Sequence, residues 1–521
     1  MADTMKILFF TNSEYGQSNV VVATAYELLH RGCEIHIASF AADEDLGSAF
    51  TKRIDALNNG EYGTLPTDSK PVTFHRITGE SMVESWQRRS KLTPDIAMTH
   101  GCGLKHAPLA YRSLMPVMGS EGPEYLTAVE SCVAALKLVQ PKVIVVDSSF
   151  PQGHDAARMM NLNYVVLTPN SFRETIGAIQ PRGYGFWGIP AYPVSWSKVP
   201  LNIYLNARMI YAFFTAPIIK DIEKFRKEHG LSGRYPHLDP YRKNLQYLIP
   251  SAPEIDFPMR NIPGNVTGCG PIVVPAPPLA TTDPELEQWL RAKPTVMLNL
   301  GSHFITSDTF AKSIATAFST LLLKCPNVQV LWKLNSRNGN DAQAKGILKE
   351  YIENGSVKMA SWLNSTPSSI LQSGHVKCAV HHGGANSYYE AVDAGVAQII
   401  LPGWYDTFDF AARVEYLEIG LWGSHRACKK GDFVYWDEFG DALLTVMDPK
   451  SAKGAEMVHN AKSLGGIARS YGGRKKAAEK IMEFAESGKY GAKTLEKDGV
   501  SVDVTKETTA VKVEEAHEGV V

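Results

Sequence analysis

Residues 376–422, VKCAVHHGGANSYYEAVDAGVAQIILPGWYDTFDFAARVEYLEIGLW, constrain the fold of this chain more than any other stretch. The run Val376-Lys377-Cys378-Ala379-Val380 is short, apolar and β-prone. His382-Gly383-Gly384-Ala385-Asn386-Ser387 then turns the chain into a helix. The two glycines remove Cβ atoms where a ligand must approach the backbone closely. Asn386 and Ser387 fall where that helix begins, at its unpaired N–H groups and the positive end of its dipole. Such a turn is an anion site, most often for phosphate. Glu390 lies one turn further along the same face as Asn386. Gly395 ends the helix, residues 397–401 read as the next buried strand, and Asp406 follows in the loop at its C-terminal end. Open α/β sheets hold their ligands in loops of that kind.

The ordered set Trp362, His382, Gly383, Gly384, Asn386, Ser387, Glu390, Pro402 and Asp406 resembles the nucleotide-sugar signature of the family 1 UDP-dependent glycosyltransferases. Several residue types must coincide in order, which makes the match stronger than a lone glycine-rich loop. The resemblance implies the GT-B fold, with two facing Rossmann-like α/β domains and the donor nucleotide held by the second. It also implies roles. Trp362 would stack on uracil, and His382 with Asn386 and Ser387 would bind the pyrophosphate. Glu390 would take the ribose hydroxyls, and Asp406, with Thr407 beside it, hydroxyls of the sugar. Asn299-Leu300-Gly301-Ser302 is similar to the family's first phosphate loop in that domain. The phrasing Trp404-Tyr405-Asp406-Thr407, with Asp409-Phe410-Ala411-Ala412-Arg413, is most similar to fungal members.

Length and composition set outer bounds. A chain of 521 residues is too long for one ordinary core, so two domains are expected. Apolar content of 44% and charged content of 21% are those of a soluble globular protein. The net charge of −1, with no basic stripe, argues against a nucleic-acid partner. The 7 cysteines are scattered, odd in number and without a Cys-x-x-Cys pair, which fits reduced thiols in the cytoplasm. No apolar stretch is long enough to span a bilayer, so no more than peripheral membrane contact is expected. The nearest, residues 200–219, is interrupted by Asn202, Asn206, Arg208 and Pro217 and reads as a buried or interfacial helix. A monomer is expected.

Strands alternate with helices along both halves. Residues 6–10 read as a strand, 20–30 as a helix and 34–38 as a strand, which opens a parallel sheet. A strand over 143–146 ends in Asp147; a helix over 154–160 and a strand over 164–167 follow. Strands at 295–299 and 328–333 belong to a second sheet. The expected organisation is an acceptor-binding domain at 1–268, a Pro-rich linker at 269–290 and a UDP-sugar-binding domain at 291–455. Helices at 456–488 and a disordered tail at 489–521, poor in aromatics and rich in Lys, Glu and Thr, complete it. Aromatics in residues 184–196 and the apolar helix over 203–214 suggest a greasy acceptor pocket; simple core packing is nearly as good an account.

The resemblance breaks at one chemically important place. The family deprotonates its acceptor with a His near the first strand, oriented by an Asp. The His position falls here on Gln17, which cannot act as a base at neutral pH, while the Asp position matches at Asp147. A neighbour, Glu14, Tyr15 or His75, could serve as base; the acceptor could be acidic enough to need little help; or the chain could bind a nucleotide sugar without transferring it. Thr407, where the family usually has Gln, leaves the identity of the sugar open. Each site residue also has a plainer reading. Asp406 could cap the next helix, Glu390 could be a solvated face, and His75 a structural histidine at a strand end; His381 is expected to pack on the far face.

The resemblance thus implies an inverting transferase that moves a sugar, with glucose expected, from its UDP derivative to a hydroxyl of a lipophilic small molecule. UDP-sugar is the donor substrate. No cofactor and no metal site is expected, since the resemblance implies a donor whose phosphates are held without a metal. The rivals are a non-catalytic UDP-sugar binder or partner subunit, and a sugar-nucleotide epimerase of the same fold class.

Overall fold

Two runs of short apolar strands, each buried on both faces, can be satisfied only by helices above and below a parallel sheet, and the computed structural model builds two such sheets. It describes residues 5–40, 48–90, 103–180, 194–301, 306–335, 341–403, 406–430 and 434–491. The first sheet contains β1 (Lys6–Phe10), β2 (Glu34–Phe40), β3 (Thr73–Ile77), β4 (Val143–Asp147), β5 (Val165–Leu167), β6 (Gln246–Ile249) and β7 (Val266–Gly268). Its order is β3-β2-β1-β4-β5-β6-β7, and every pairing is parallel. The second sheet contains β8 (Thr295–Asn299), β9 (Gln329–Lys333), β10 (Val357–Ala360), β11 (Val376–His381), β12 (Ala397–Ile400) and β13 (Gly420–Trp422). Its order is β10-β9-β8-β11-β12-β13, again wholly parallel.

In both sheets the strand order reverses beside the first strand. The reversal lies between β1 and β4 in one and between β8 and β11 in the other. The crevice at such a switch point, beyond the carboxyl ends of the strands, is where doubly wound sheets bind ligands. Register sets what reaches that edge. Phe10 pairs with Val146, so the chain leaving β1 at Thr11 meets Asp147 at the end of β4. Leu298 pairs with Val380, so the loops after β8 and β11 also leave side by side.

Helices begin and end slightly away from the positions read in the sequence. The first runs Tyr15–Leu29 rather than from residue 20, which places Gln17 in its first turn. The helix after β4 is Pro151–Met159, and the one after β11 is Ala385–Ala394, closed by Gly395 in the left-handed conformation (φ +68°). In the helix Val199–Thr215 only Leu205 and Met209 are buried, against Ala107 and Tyr111. Ile203, Ile210, Tyr211 and Phe214 of that helix are exposed, so core packing does not account for it. Residues 184–193 of the aromatic loop lie outside the described residues.

The chain ends by returning to the domain it began in. The helix Ala452–Ser470 lies on the second domain, where Gly465 packs against the Val392 carbonyl. The chain turns at Gly472 and Gly473, both with positive φ, and Gly473 N–H donates to the Cys269 carbonyl at 2.7 Å. The helix Arg474–Glu486 then buries Ala477, Ala478, Ile481 and Ala485 in the core that holds Ile7, Phe9 and Val20. Beyond it, Ile144 N–H donates to the Tyr490 carbonyl at 2.8 Å, and Gly491 lies against the Lys142 carbonyl. A tail starting at 489 is therefore corrected: residues 489–491 are docked along β4, and 492–521 lie outside the described residues. Tyr490 and Gly491 carry a main-chain pairing that composition does not register. Among the described residues, no helix is long and apolar enough to cross a membrane, and no cluster of three His, Cys, Asp or Glu side chains is placed to hold a metal ion.

Candidate active site

The first domain contributes the loops after β1 and β4. Asp147 ends β4 fully buried, and both its oxygens are engaged. Oδ2 accepts from Thr11 Oγ1 at 3.2 Å and from the Asn12 N–H at 3.4 Å, and Oδ1 accepts from the Ser149 N–H at 2.8 Å. Asn12 Nδ2 donates to the Ser149 carbonyl at 2.6 Å and closes the knot between the two loops. Burial lifts the Asp147 carboxyl from 3.8 to about 7, against these three bonds that lower it. Gln17 lies in the first turn of the Tyr15–Leu29 helix and is not among these hydrogen-bond partners of Asp147. Backbone and hydroxyl donors from the adjacent loops occupy the carboxylate instead.

His75 is not brought to this place. It is the third of five residues in the edge strand β3, not a strand end, and its backbone pairs with Ala38. Its Nε2 lies 2.9 Å from His36 Nδ1, and His36 Nε2 lies 3.1 Å from Glu34 Oε1. Burial lowers the pKa of both rings. The ring of Tyr15 lies 4.5 Å from the Arg53 guanidinium. Glu14, which precedes the Tyr15–Leu29 helix, is 8% exposed, and its Oε1 accepts the Val83 N–H at 2.9 Å.

The second domain contributes the loops after β8, β10, β11 and β12. His382 follows β11, and the turn behind it has the strained shape that requires glycine. Gly383 has φ +86°, and a Cβ there would lie 2.8 Å from the Thr407 carbonyl oxygen. A Cβ on Gly384 would lie 2.5 Å from His382 Nε2, and one on Gly301 (φ +87°) would lie 3.0 Å from its Cε1. The imidazole is thus packed between the two glycine loops. His381 points away, as expected of it. It is buried, its Nδ1 accepts the Gly383 N–H at 3.1 Å, and its Nε2 donates to Gln398 Oε1 at 2.8 Å. Desolvation pushes its pKa down to about 4, so the ring is neutral and fixes the turn. Ser302 lies outside the described residues.

Asn386 and Ser387 fall in the first turn of the Ala385–Ala394 helix, at its open N–H groups. Glu390 is one turn on; burial raises its carboxyl to about 7 despite a hydrogen bond with Ser368. Trp362 lies just beyond β10, 60% exposed, with Lys333 Nζ 4.0 Å from its ring centroid. Asp406 stands at the N-cap position of the Thr407–Tyr416 helix, but its side chain makes no capping bond, so capping does not account for it. Its Oδ1 is buried without a hydrogen-bond partner among the described residues. Its pKa is raised well above the usual carboxylate value, first by burial and next by the charge of Glu174.

Glu174 belongs to the first domain, and sequence reasoning did not single it out. It lies in the short helix Phe172–Ile176, whose Ser171 and Glu174 form a capping box, a pattern that Ser-x-x-Glu alone signals. That helix docks on the second domain. Arg173 pairs with Asp409 at 3.1 Å, and Arg413 reaches both Ser171 Oγ and Asp256 at 3.1 Å. Asp256 in turn accepts the Phe172 N–H at 2.9 Å. The docking brings Glu174 up to Asp406. It also closes the cleft on its other side, where Asn386 Nδ2 donates to the Tyr15 carbonyl at 2.8 Å.

Comparison with known proteins places this geometry. Residues 207–457 match the family model described as UDP-glucoronosyl and UDP-glucosyl transferase. The chain is 37% identical over 503 residues to glycosyltransferase sdnJ of Sordaria araneosa, covering 91% of this chain and 96% of that one. It is 22% identical to erythritol-mannosyl-transferase 1 of Mycosarcoma maydis, over 81% of this chain and 83% of that protein. Among solved structures, a UDP-glucosyltransferase from Polygonum tinctorium, capable of glucosylating indoxyl and complexed with 3,4-dichloroaniline, superposes with a TM-score of 0.61. That match is at 14% identity and covers 93% of this chain and all of that one, a likeness of fold.

Proposed function

This chain belongs to the UDP-glucuronosyl and UDP-glucosyl transferase family and is a glycosyltransferase of the GT-B fold, and from that premise we propose that it moves glucose from UDP-glucose to a hydroxyl of a lipophilic small molecule, with inversion at the anomeric carbon. The observation that carries the reading is the contact between Asn386 and Tyr15. It sets the first turn of the Ala385–Ala394 helix of the second domain directly against the first turn of the Tyr15–Leu29 helix of the first. A donor held on one side and an acceptor on the other would meet there, and a direct displacement from the face opposite the leaving group inverts the centre.

In this reading Trp362 carries the uracil on its open face and Glu390 takes the ribose hydroxyls. His382, packed between Gly301 and Gly384, meets the pyrophosphate together with the N–H groups around Asn386 and Ser387. Helix N–H groups and their dipole favour a diphosphate without a dedicated cation site; metal independence is part of the proposal. Asp406 offers an unpartnered oxygen to sugar hydroxyls. Glu174 beside it supports a neutral hexose, because the carboxylate of a glucuronosyl group would face two acidic side chains. The exposed apolar side of the Val199–Thr215 helix supports a greasy acceptor. Buried unpaired thiols at Cys33, Cys132, Cys269, Cys325 and Cys378 support a cytoplasmic location.

The test is UDP release and conjugate formation from UDP-glucose, UDP-galactose and UDP-glucuronate against a panel of phenols, alcohols and carboxylic acids. A conjugate with an inverted linkage from UDP-glucose is expected. His382→Ala should weaken UDP binding at least tenfold, about 1.4 kcal/mol. Unchanged UDP affinity in that variant would remove His382 from the donor site, and a UDP-bound protein that makes no conjugate would sink transfer.

A further inference from the structure

Glu14 is a buried carboxyl at the start of the Tyr15–Leu29 helix. It sits in the N-cap position of the Tyr15–Leu29 helix, where Ser, Thr, Asp and Asn are preferred because they cap. Its side chain caps nothing. One oxygen is anchored, Oε1 on the Val83 N–H at 2.9 Å. The other, Oε2, is buried and has no partner within strict hydrogen-bond geometry among the described residues, the Ser81 hydroxyl being the side-chain donor that lowers the pKa of this carboxyl. A buried carboxylate left incompletely satisfied is costly, and proteins seldom carry one without use. Desolvation raises its pKa, and Asp147 feels its charge. The next residue, Tyr15, is the one whose carbonyl receives Asn386 from the donor domain. Glu14 therefore directly precedes the residue at the domain contact, three positions before Gln17, on a segment tied to the loop after β3 by Val83 and near enough to Asp147 for its charge to be felt there.

We propose that Glu14 is the general base of the transfer, in place of the histidine whose position Gln17 occupies; the inference rests on the glycosyl-transfer reading. The Val83 N–H holds Oε1, and Oε2 accepts the proton of the acceptor hydroxyl. As that O–H bond breaks, the acceptor oxygen forms a bond to the anomeric carbon. The bond from that carbon to the phosphate oxygen breaks, and its electron pair leaves with UDP. The proton remains on Glu14 until solvent removes it. Asp147, held by Thr11, Asn12 and Ser149, is the positioning residue that ties the loop carrying Glu14 to the end of β4.

The experiment measures kcat for an aliphatic alcohol and for a nitrophenol, with UDP affinity by calorimetry, in wild type, Glu14→Gln, Glu14→Asp and Glu14→Ala. Glu14→Gln should keep UDP affinity within about twofold and lose roughly 10²-fold or more in kcat with the alcohol. The loss should be much smaller with the nitrophenol, which gives up its proton unaided. Azide or formate should restore part of the alcohol turnover of Glu14→Ala. Wild-type kcat in Glu14→Gln, or an equal loss with both acceptors, overturns the assignment while leaving transfer intact. Should Glu14→Gln not fold, Glu14→Asp decides, since withdrawing the carboxylate by about one bond costs on the order of 10² in rate; wild-type kcat there overturns it as well. A wild type that binds UDP and conjugates no acceptor removes the transfer itself, and Glu14 as base falls with it.

Discussion

Asn386 Nδ2 donates to the carbonyl oxygen of Tyr15 at 2.8 Å, joining the first turn of a helix in one domain to the first turn of a helix in the other. In the proposed donor site the same amide would also meet the diphosphate. Asn386→Asp keeps the size but turns a donor into an anion, repelled by both the Tyr15 carbonyl and a diphosphate. We expect UDP affinity to fall by about 10–100-fold, roughly 1.4–3 kcal/mol, in calorimetric titration. An affinity equal to wild type would place the pyrophosphate elsewhere.

The glycine loops make a steric forecast. Gly384→Ala puts a Cβ 2.5 Å from His382 Nε2, so the imidazole must move. Overpacking of this kind costs about 1–3 kcal/mol. Thermal unfolding should fall accordingly, and UDP affinity should fall with it because the ring is displaced from its place between the loops. A folded Gly384→Ala protein with wild-type UDP affinity would mean that the His382 position is unimportant for the donor.

Much of this was legible in the residues themselves. Val376–His381, the glycines after it and Gly395 announce a strand, a tight turn and a helix end, because each depends on local chemistry. Asp147 was legible as a strand end for the same reason. Its partners were not: Thr11 and Asn12 reach it only because Phe10 pairs with Val146, a register over more than a hundred residues. His75 reads in the sequence as a strand end and is instead the middle of the five-residue edge strand β3; its bond to His36 is cross-strand, which fits the structural reading and is not written in the local sequence. Glu174 needed the docking of two domains through Arg173, Asp409, Arg413 and Asp256, which no local pattern encodes. The return of Arg474–Glu486 to the first core was hidden likewise, since its buried alanines are ordinary helix residues.

That interdomain charge cluster should be costly to break. Arg413 is 0% exposed and faces Asp256, with Asp409 also close in charge. Arg413→Met leaves Asp256 buried without its paired cation, while Asp409 keeps Arg173, a change worth roughly 3–5 kcal/mol. A drop in thermal midpoint is expected, together with faster proteolysis near the linker. Wild-type stability would show that the two domains are held by other contacts.

Asp147 supplies a pH dependence with a definite sign. Its carboxyl is raised from 3.8 to about 7, so between those values the folded chain holds a proton that the unfolded chain has lost. Its contribution is fully present below the unfolded value and is lost as pH rises through about 7. His154 and His381, buried neutral with pKa values near 3 and 4, act in the opposite sense and lose stability as pH falls. The comparison of Asp147→Asn with wild type isolates one group. The variant should gain on wild type from pH 4 to pH 8 by a few kcal/mol, about 1.4 kcal/mol for each pH unit over which only the folded carboxyl keeps its proton. A stability difference that stays constant across that range would show that Asp147 does not titrate there.

Glu174 gives a forecast about the sugar. It and Asp406 approach from different domains, and the charge of Glu174 helps to raise the Asp406 pKa. Glu174→Gln removes one charge while keeping the size of the side chain. If the pair guards against an acidic sugar, the ratio of kcat/KM for UDP-glucuronate over UDP-glucose should rise by about tenfold, the effect of roughly 1.4 kcal/mol of relieved repulsion. Asp406→Asn should lower kcat/KM for UDP-glucose itself, because its unpartnered oxygen is the one offered to the sugar. Should Glu174→Gln leave the ratio unchanged, Glu174 serves only the capping box with Ser171, and the choice of sugar is made by Asp406 and Thr407 alone.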